Sequence, residues 1–147
     1  PILLNPGMPT AIKTTTGNLV IFPAGIGGTA SVRELTPSDL EKLGIQMGAN
    51  FITQSGRMAA IDPGVQIISA MSITVSSSIE PSGNLPAGEK IAVIFQVPVH
   101  MLGRNVAIMW WNEDRNMWHE LHSIATADGY CIAYTNLTGT FALMVKE

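Results

Sequence analysis

Val106-Ala-Ile-Met-Trp-Trp-Asn-Glu-Asp-Arg-Asn-Met-Trp-His-Glu-Leu-His122 holds all three tryptophans and two of the three histidines of a 147-residue chain. Read as a helix, it would carry His119-Glu-Leu-His122, close to the zinc-protease pattern. That pattern needs two histidines at i and i+4 on one helix face, with the glutamate as base. Here the histidines stand one residue too close. Read as two strands, Val106, Ile108 and Trp110 form an apolar row, Asn112-Glu-Asp-Arg-Asn116 turns the chain, and Trp118 returns opposite. On a strand His119 and His122 point to opposite faces, so the metal pattern dissolves. The hairpin reading makes this a β protein.

The same period of two recurs outward from that hairpin. Met71, Ile73 and Val75 alternate with Ser72, Thr74 and Ser76, which predicts a half-buried strand with a wet outer face. Ile91, Val93, Phe95 and Val97 form another inward row, closed by Pro98, which cannot donate to a ladder. Tyr130, Ile132 and Tyr134 predict a further inward row, and Phe141, Leu143 and Val145 the last. Turn signals separate these runs at Pro81-Ser-Gly-Asn84, Pro86-Ala-Gly88 and Asp128-Gly129, the last reading as a two-residue hairpin with positive φ. Strands at this spacing describe an antiparallel β-sandwich of the immunoglobulin-like, Greek-key kind, with a barrel as the other closure.

The first third is less regular. Asn18-Leu-Val-Ile-Phe22 predicts a strand ended by Pro23. Thr36-Pro-Ser-Asp-Leu-Glu-Lys-Leu-Gly44 has a capping residue, a proline at the first helical position and a terminal glycine, and predicts one short connecting helix. Residues 1–16, with early prolines and a threonine run, read as a tail or an edge strand, and residues 17–147 as a single domain. The apolar start, Pro1-Ile-Leu-Leu4, could add to another chain's sheet or dock on its own. Deleting residues 1–16 is therefore expected to weaken assembly more than folding.

Composition excludes several function classes. Charged residues make up 13% of the chain and the net charge is −3, with no run of like sign, so nucleic acid and anionic lipid lack an electrostatic footprint. The longest apolar run, Lys90 to Val99, contains a proline and falls well short of the roughly 20 residues a spanning helix needs. Cys131 is the single cysteine, which rules out an internal disulfide. It sits among alternating residues as a buried small hydrophobe, and no basic neighbour would activate it. Low charge with abundant Ser, Thr and Gly predicts an extracytoplasmic protein, secreted or at the cell surface.

No catalytic constellation emerges. Gly25-Ile-Gly27-Gly28 lacks the Gly-Lys-Ser/Thr of a phosphate loop and the dinucleotide pattern. Ser55 lacks the flanking glycines of a nucleophile elbow. Asp62, Glu80, Glu89, Glu113 and Asp114 all lie beside turn residues, as solvated loop carboxylates do. His100, His119, His122 and Glu120 could converge on a metal only from distant positions, so no metal or other cofactor is expected. Of the aromatics, Trp110 and Trp118 are expected in the core and Trp111 at a rim or interface, because adjacent strand residues face opposite ways. Trp111, Trp118, Tyr130 and Tyr134 are the candidate binding residues.

Leu85-Pro-Ala-Gly-Glu-Lys-Ile-Ala-Val-Ile-Phe95, Ile108-Met-Trp-Trp-Asn-Glu-Asp114, Trp118 with Leu121, and a closing Gly139-Thr-Phe-Ala-Leu143 come in a recognisable order. That order resembles the β-sandwich domains of ankyrins, zonula occludens proteins and netrin receptors, which bacterial surface proteins share. Gly17-Asn-Leu-Val-Ile-Phe-Pro-Ala-Gly25 is similar to their opening strand. The likeness runs from about Ile67 to Val145 and is poor between Thr29 and Asp62. It implies assembly and recognition without catalysis. Some members cleave themselves at a His-Phe-Ser or His-Phe-Pro site, but Phe141 stands between Thr140 and Ala142, so self-cleavage is not implied. The expectation is a non-catalytic structural or protein-binding module, forming oligomers through exposed apolar surface and edge strands. Its alternative is a carbohydrate-binding module using an exposed Trp111, and a small hydrolase ranks last.

Overall fold

The computed structural model describes residues 1–45, 50–62, 64, 67–76 and 83–146. Met47, Glu80 and the Pro81-Ser82 half of an expected turn lie outside the described residues. The chain opens with β1 (Ile2–Leu4), β2 (Thr10–Lys13), β3 (Leu19–Phe22) and β4 (Gly28–Glu34). Helix α1 (Pro37–Lys42) precedes two short strands, β5 (Asn50–Ile52) and β6 (Met58–Ala60). Longer strands follow as β7 (Ser69–Ser76), β8 (Ile91–Gln96) and β9 (Val106–Asn112). The chain closes with β10 (Met117–Glu120), β11 (Ser123–Ala125), β12 (Tyr130–Thr135) and β13 (Gly139–Val145).

These strands form two sheets, in the orders β1-β4-β7-β13-β9-β10-β5-β6 and β11-β12-β8-β3-β2. All pairings between named strands are antiparallel except β5 with β10, which run parallel. The all-β sandwich expected from alternation is what the chain adopts, with one short helix. Inward residues of both sheets meet in a core that includes Val20, Phe22, Ile73, Val93, Phe95, Ile108, Phe141 and Leu143, all with no exposed surface. Asn18 ties the sheets together across this core. Its Nδ2 donates to Ser69 Oγ at 2.9 Å, and its Oδ1 accepts from the Gln96 backbone amide at 2.9 Å. A buried polar side chain is tolerated there because both ends find partners.

Helix α1 forms where its local chemistry says it should. The Thr36 hydroxyl accepts from the Asp39 amide at 3.2 Å, while the Asp39 carboxylate accepts from the Thr36 amide at 2.8 Å. This reciprocal cap satisfies two of the helix's orphan donors. The Thr36 amide, and after it the Thr36 hydroxyl, which also donates to the carboxylate at 3.0 Å, hold the Asp39 carboxyl below its ordinary range. Gly44 ends the helix with φ of +74°, a conformation that L side chains rarely adopt.

A second apolar cluster lies on the far face of the eight-stranded sheet. Leu35, Leu40 and Ile45 join Phe51, Ile61, Ala107, Met109, Trp111, Trp118, Ala142 and Met144 in one buried cluster there. Strands β9 and β13 are therefore buried on both faces, which explains why they read as near-continuous apolar runs. The Val106, Ile108, Trp110 row does face the main core, but its alternate neighbours are buried as well.

Two sequence expectations need correction. The inward row of β12 is Cys131, Ala133 and Thr135, all buried, and Tyr130, Ile132 and Tyr134 point outward. Register decides this, because Cys131, Ala133 and Thr135 pair directly with Phe95, Val93 and Ile91, and paired residues share a face. The Asp128-Gly129 turn is also longer than expected. The Thr126 amide donates to the Tyr130 carbonyl at 2.7 Å, leaving three connecting residues, and Gly129 alone has positive φ, at +92°.

Candidate interaction surface

Each outward residue of the five-stranded sheet is placed by the strand that carries it. Ile124 pairs with Ile132, Ile132 with Ile94, Ile94 with Leu19, and Leu19 with Lys13. Directly paired residues lie side by side on one face, so this is a single apolar row crossing all five strands and ending on a lysine. Tyr134, Ala92, Ile21 and Ala11 form a second row beside it. On the other flank Tyr130 pairs with Gln96. The inner faces of these strands are already used by the main core, and none of these outward side chains belongs to either buried cluster.

The two outer faces of the sandwich thus differ. Leu35, Leu40 and Ile45 pack against the outer face of the eight-stranded sheet, whereas the outward rows of the five-stranded sheet join neither buried cluster. Tyr134 is 63% exposed and Ile124 54%, while Ile132, Ile94, Leu19 and Ile21 shield one another to half-burial. Scattered surface hydrophobes need no explanation, but a contiguous apolar face does. A hollow of about 280 Å³ borders this face, with Leu19, Ile94 and Ile132 on its apolar side and Tyr130, Lys13 and Asp128 around it. Gly17 borders it with φ of +92°, and a Cβ there would collide with the Gln96 side chain.

The tryptophans do not join this surface. Trp111 is buried, and so is Trp118, their rings edge to face with centroids 5.2 Å apart in the cluster on the far sheet. This corrects the expectation of Trp111 at a rim. Trp110 packs against the main core from a partly buried position, with its Nε1 donating to the Thr138 carbonyl at 2.8 Å. It borders a polar cleft of about 330 Å³ with Asn84, Asn112, Glu113 and Asp114. Of the four candidate binding residues, the structure places Tyr130 and Tyr134 together on an open face and removes Trp111 and Trp118 from solvent. Ile94, Leu19 and Ile21 form the floor of that face and carry no sequence signal of their own, because in β3 and β8 the residues on both faces are apolar.

The other candidates stay apart. Glu120 Oε2 accepts from Lys146 Nζ at 2.7 Å, and Asp62 pairs with Arg104 at 2.5 Å, so both carboxylates have structural partners. Ser55 lies exposed in a turn within 3.0 Å of the Thr53 hydroxyl. Among the described residues no three His, Cys, Asp or Glu side chains converge as metal ligands would. Burial pushes the Cys131 thiol above its ordinary pKa, which suits an inert core residue.

His119 packs edge-on to Trp110 with ring centroids 6.2 Å apart, and its Nε2 lies 3.4 Å from Asn112 Nδ2. Partial burial, then the nearby Arg115 charge, holds its pKa below 6.5. The neutral ring is thus favoured on folding. Its contribution to stability is whole above pH 6.5 and is lost as pH falls toward the lowered folded value. Thermal melts from neutral to mildly acidic pH should show this loss, and His119→Gln should flatten the slope over that window. Identical slopes for the two proteins would refute the assignment. No family model, no curated protein and no solved structure matches this chain.

Proposed function

We propose that this chain is a non-catalytic interaction module that works by burying the outer face of its five-stranded sheet against another polypeptide. The observation that carries the reading is the asymmetry of the sandwich. One sheet packs its apolar outer face against Leu35, Leu40 and Ile45 of the α1 region, while the five-strand apolar rows of the other join neither buried cluster and stay partly exposed. Apolar area left in water is a standing driving force for association, worth about 25 cal/mol per Å² when buried. Edge strands contribute less, because β1, β6 and β11 have three residues each and β2 has four, too short to template much pairing. The likeness to surface-protein sandwiches and the low charged fraction of 13% support an extracytoplasmic, recognition-type role.

A carbohydrate-binding role is the second reading. It passes from Trp111 to the exposed tyrosines and to the polar cleft beside Trp110, where Asn112 and Asp114 could meet sugar hydroxyls. The test places a photo-crosslinking residue at Ile132 in the protein as made by its own cell. A discrete covalent adduct with a polypeptide is expected, and none from the same residue at Thr74 on the other sheet's outer side. Binding to a glycan array with no polypeptide adduct would overturn the proposal in favour of the second reading.

A further inference from the structure

We propose that Asn112, His119 and the turn between β9 and β10 form a proton-released latch on the polar cleft beside Trp110. The turn stays closed while the His119 ring is neutral and comes loose when the ring takes up a proton. The latch lies on the eight-stranded sheet and does not depend on the face proposed for a polypeptide partner. Register brings its parts together. His119 pairs directly with Trp110, and Asn112 with Met117, so Asn112 and His119 are diagonal neighbours on one face. The Asn112 side chain then serves two groups at once. Its Oδ1 accepts from the Asp114 amide at 3.1 Å, which fastens the first half of the turn. Its Nδ2 lies 3.4 Å from His119 Nε2.

These two bonds fix the state of the ring. An amide nitrogen only donates, so His119 Nε2 has to accept, with the ring's one proton on Nδ1. Exchanging the amide's oxygen and nitrogen is ruled out by the Asp114 N–H, which needs the oxygen. Protonation puts an N–H on Nε2 and sets two donors against each other. The ring is wedged between Trp110, edge-on with centroids 6.2 Å apart, and Ile52, its pair on β5, so the amide yields first. Its rotation gives Oδ1 to the protonated ring and takes it from Asp114. Glu113 and Asp114 ride on this turn and line the cleft of about 330 Å³ with Trp110, so release of the turn reshapes the cleft.

The surroundings set where this happens. Partial burial, then Arg115 on the turn, oppose a charge on the ring. Its direct pairs on β9 and β5, Trp110 and Ile52, are uncharged. Glu120 points to the opposite face of β10, where Lys146 Nζ pairs with it at 2.7 Å. The latch is therefore fully closed above pH 6.5 and is lost as pH falls through the lowered folded value.

Nitrogen-15 NMR at neutral pH should find the His119 proton on Nδ1. On acidification the Asp114 amide resonance should shift with the same midpoint as the His119 ring. Its protection from hydrogen exchange, corrected for the intrinsic rate, should fall by about fivefold, as the loss of one ordinary hydrogen bond implies. His119→Gln should abolish that response. Asn112→Asp is the sharper variant, because a carboxylate accepts from the Asp114 amide and a protonated ring together. In it His119 should titrate above 6.5 and the Asp114 amide should no longer follow the ring. A neutral ring protonated at Nε2 overturns the latch. So does an Asp114 amide that ignores the His119 titration, or one that responds equally in His119→Gln.

Discussion

Phe141→Ala is expected to destabilise the folded chain by about 3–5 kcal/mol, the range for emptying a buried phenylalanine site. Phe141 has no exposed surface and sits on β13, with Met71 and Trp110 as its direct neighbours on the two flanking strands. Its ring faces the other sheet within the main core, beside residues such as Phe95 and Ile108. Collapse around the void is resisted, because both faces of β13 are packed and the strand cannot shift toward one without leaving the other. Against a total stability of about 5–15 kcal/mol, such a loss brings the chain close to its unfolding limit at ordinary temperature. Urea titration followed by tryptophan fluorescence would measure it. A loss below about 1 kcal/mol would mean that Phe141 is not part of a tightly packed core.

Removing residues 1–16 is expected to be at least as damaging. From sequence, this segment reads as a tail or an edge strand whose loss weakens assembly more than folding. It supplies an edge strand to each sheet, so folding is expected to suffer as well. Strand β1 pairs with β4 and inserts Leu4, 2% exposed, and β2 pairs with β3 and inserts Ile12, 9% exposed. Losing two buried aliphatic side chains costs about 4 kcal/mol or more, before counting the ladder hydrogen bonds. Thr16 goes too, and with it the hydroxyl and amide that donate to Glu34. Truncation would bare the edges of β3 and β4 and invite aggregation through them. The truncated chain should therefore show a lower urea midpoint than the intact one, or fail to fold. An unchanged midpoint would restore the view of this segment as a tail.

Much of the fold is readable from residues alone wherever one face of a strand is apolar and the other polar. Met71, Ile73 and Val75 against Ser72, Thr74 and Ser76 leave no doubt about which way β7 faces, and the buried row is the expected one. Thr36, Pro37, Asp39 and Gly44 specify α1 through interactions confined to one turn of chain. The Asn112–Asn116 turn joins β9 to β10 as its residues say, with Asn116 at φ of +51°.

Tertiary structure decides where both faces are apolar, because period two then carries no sign. In β12 the tyrosines and Ile132 outweigh Cys131, Ala133 and Thr135 in hydrophobicity, yet pairing with β8 sends the smaller set inward. In β9 and β13 the second face is buried because Leu35, Leu40 and Ile45, distant in sequence, pack against it. Trp111 is enclosed for that reason, while Ile94 and Leu19 stay only partly buried and Tyr134 exposed on the outer face of the small sheet. Hydrophobicity is a property of the side chain, but burial depends on what arrives from elsewhere in the chain to cover it. The sandwich and its helix are local matters that the sequence determines by itself, and the open face of the small sheet exists only in the assembled fold.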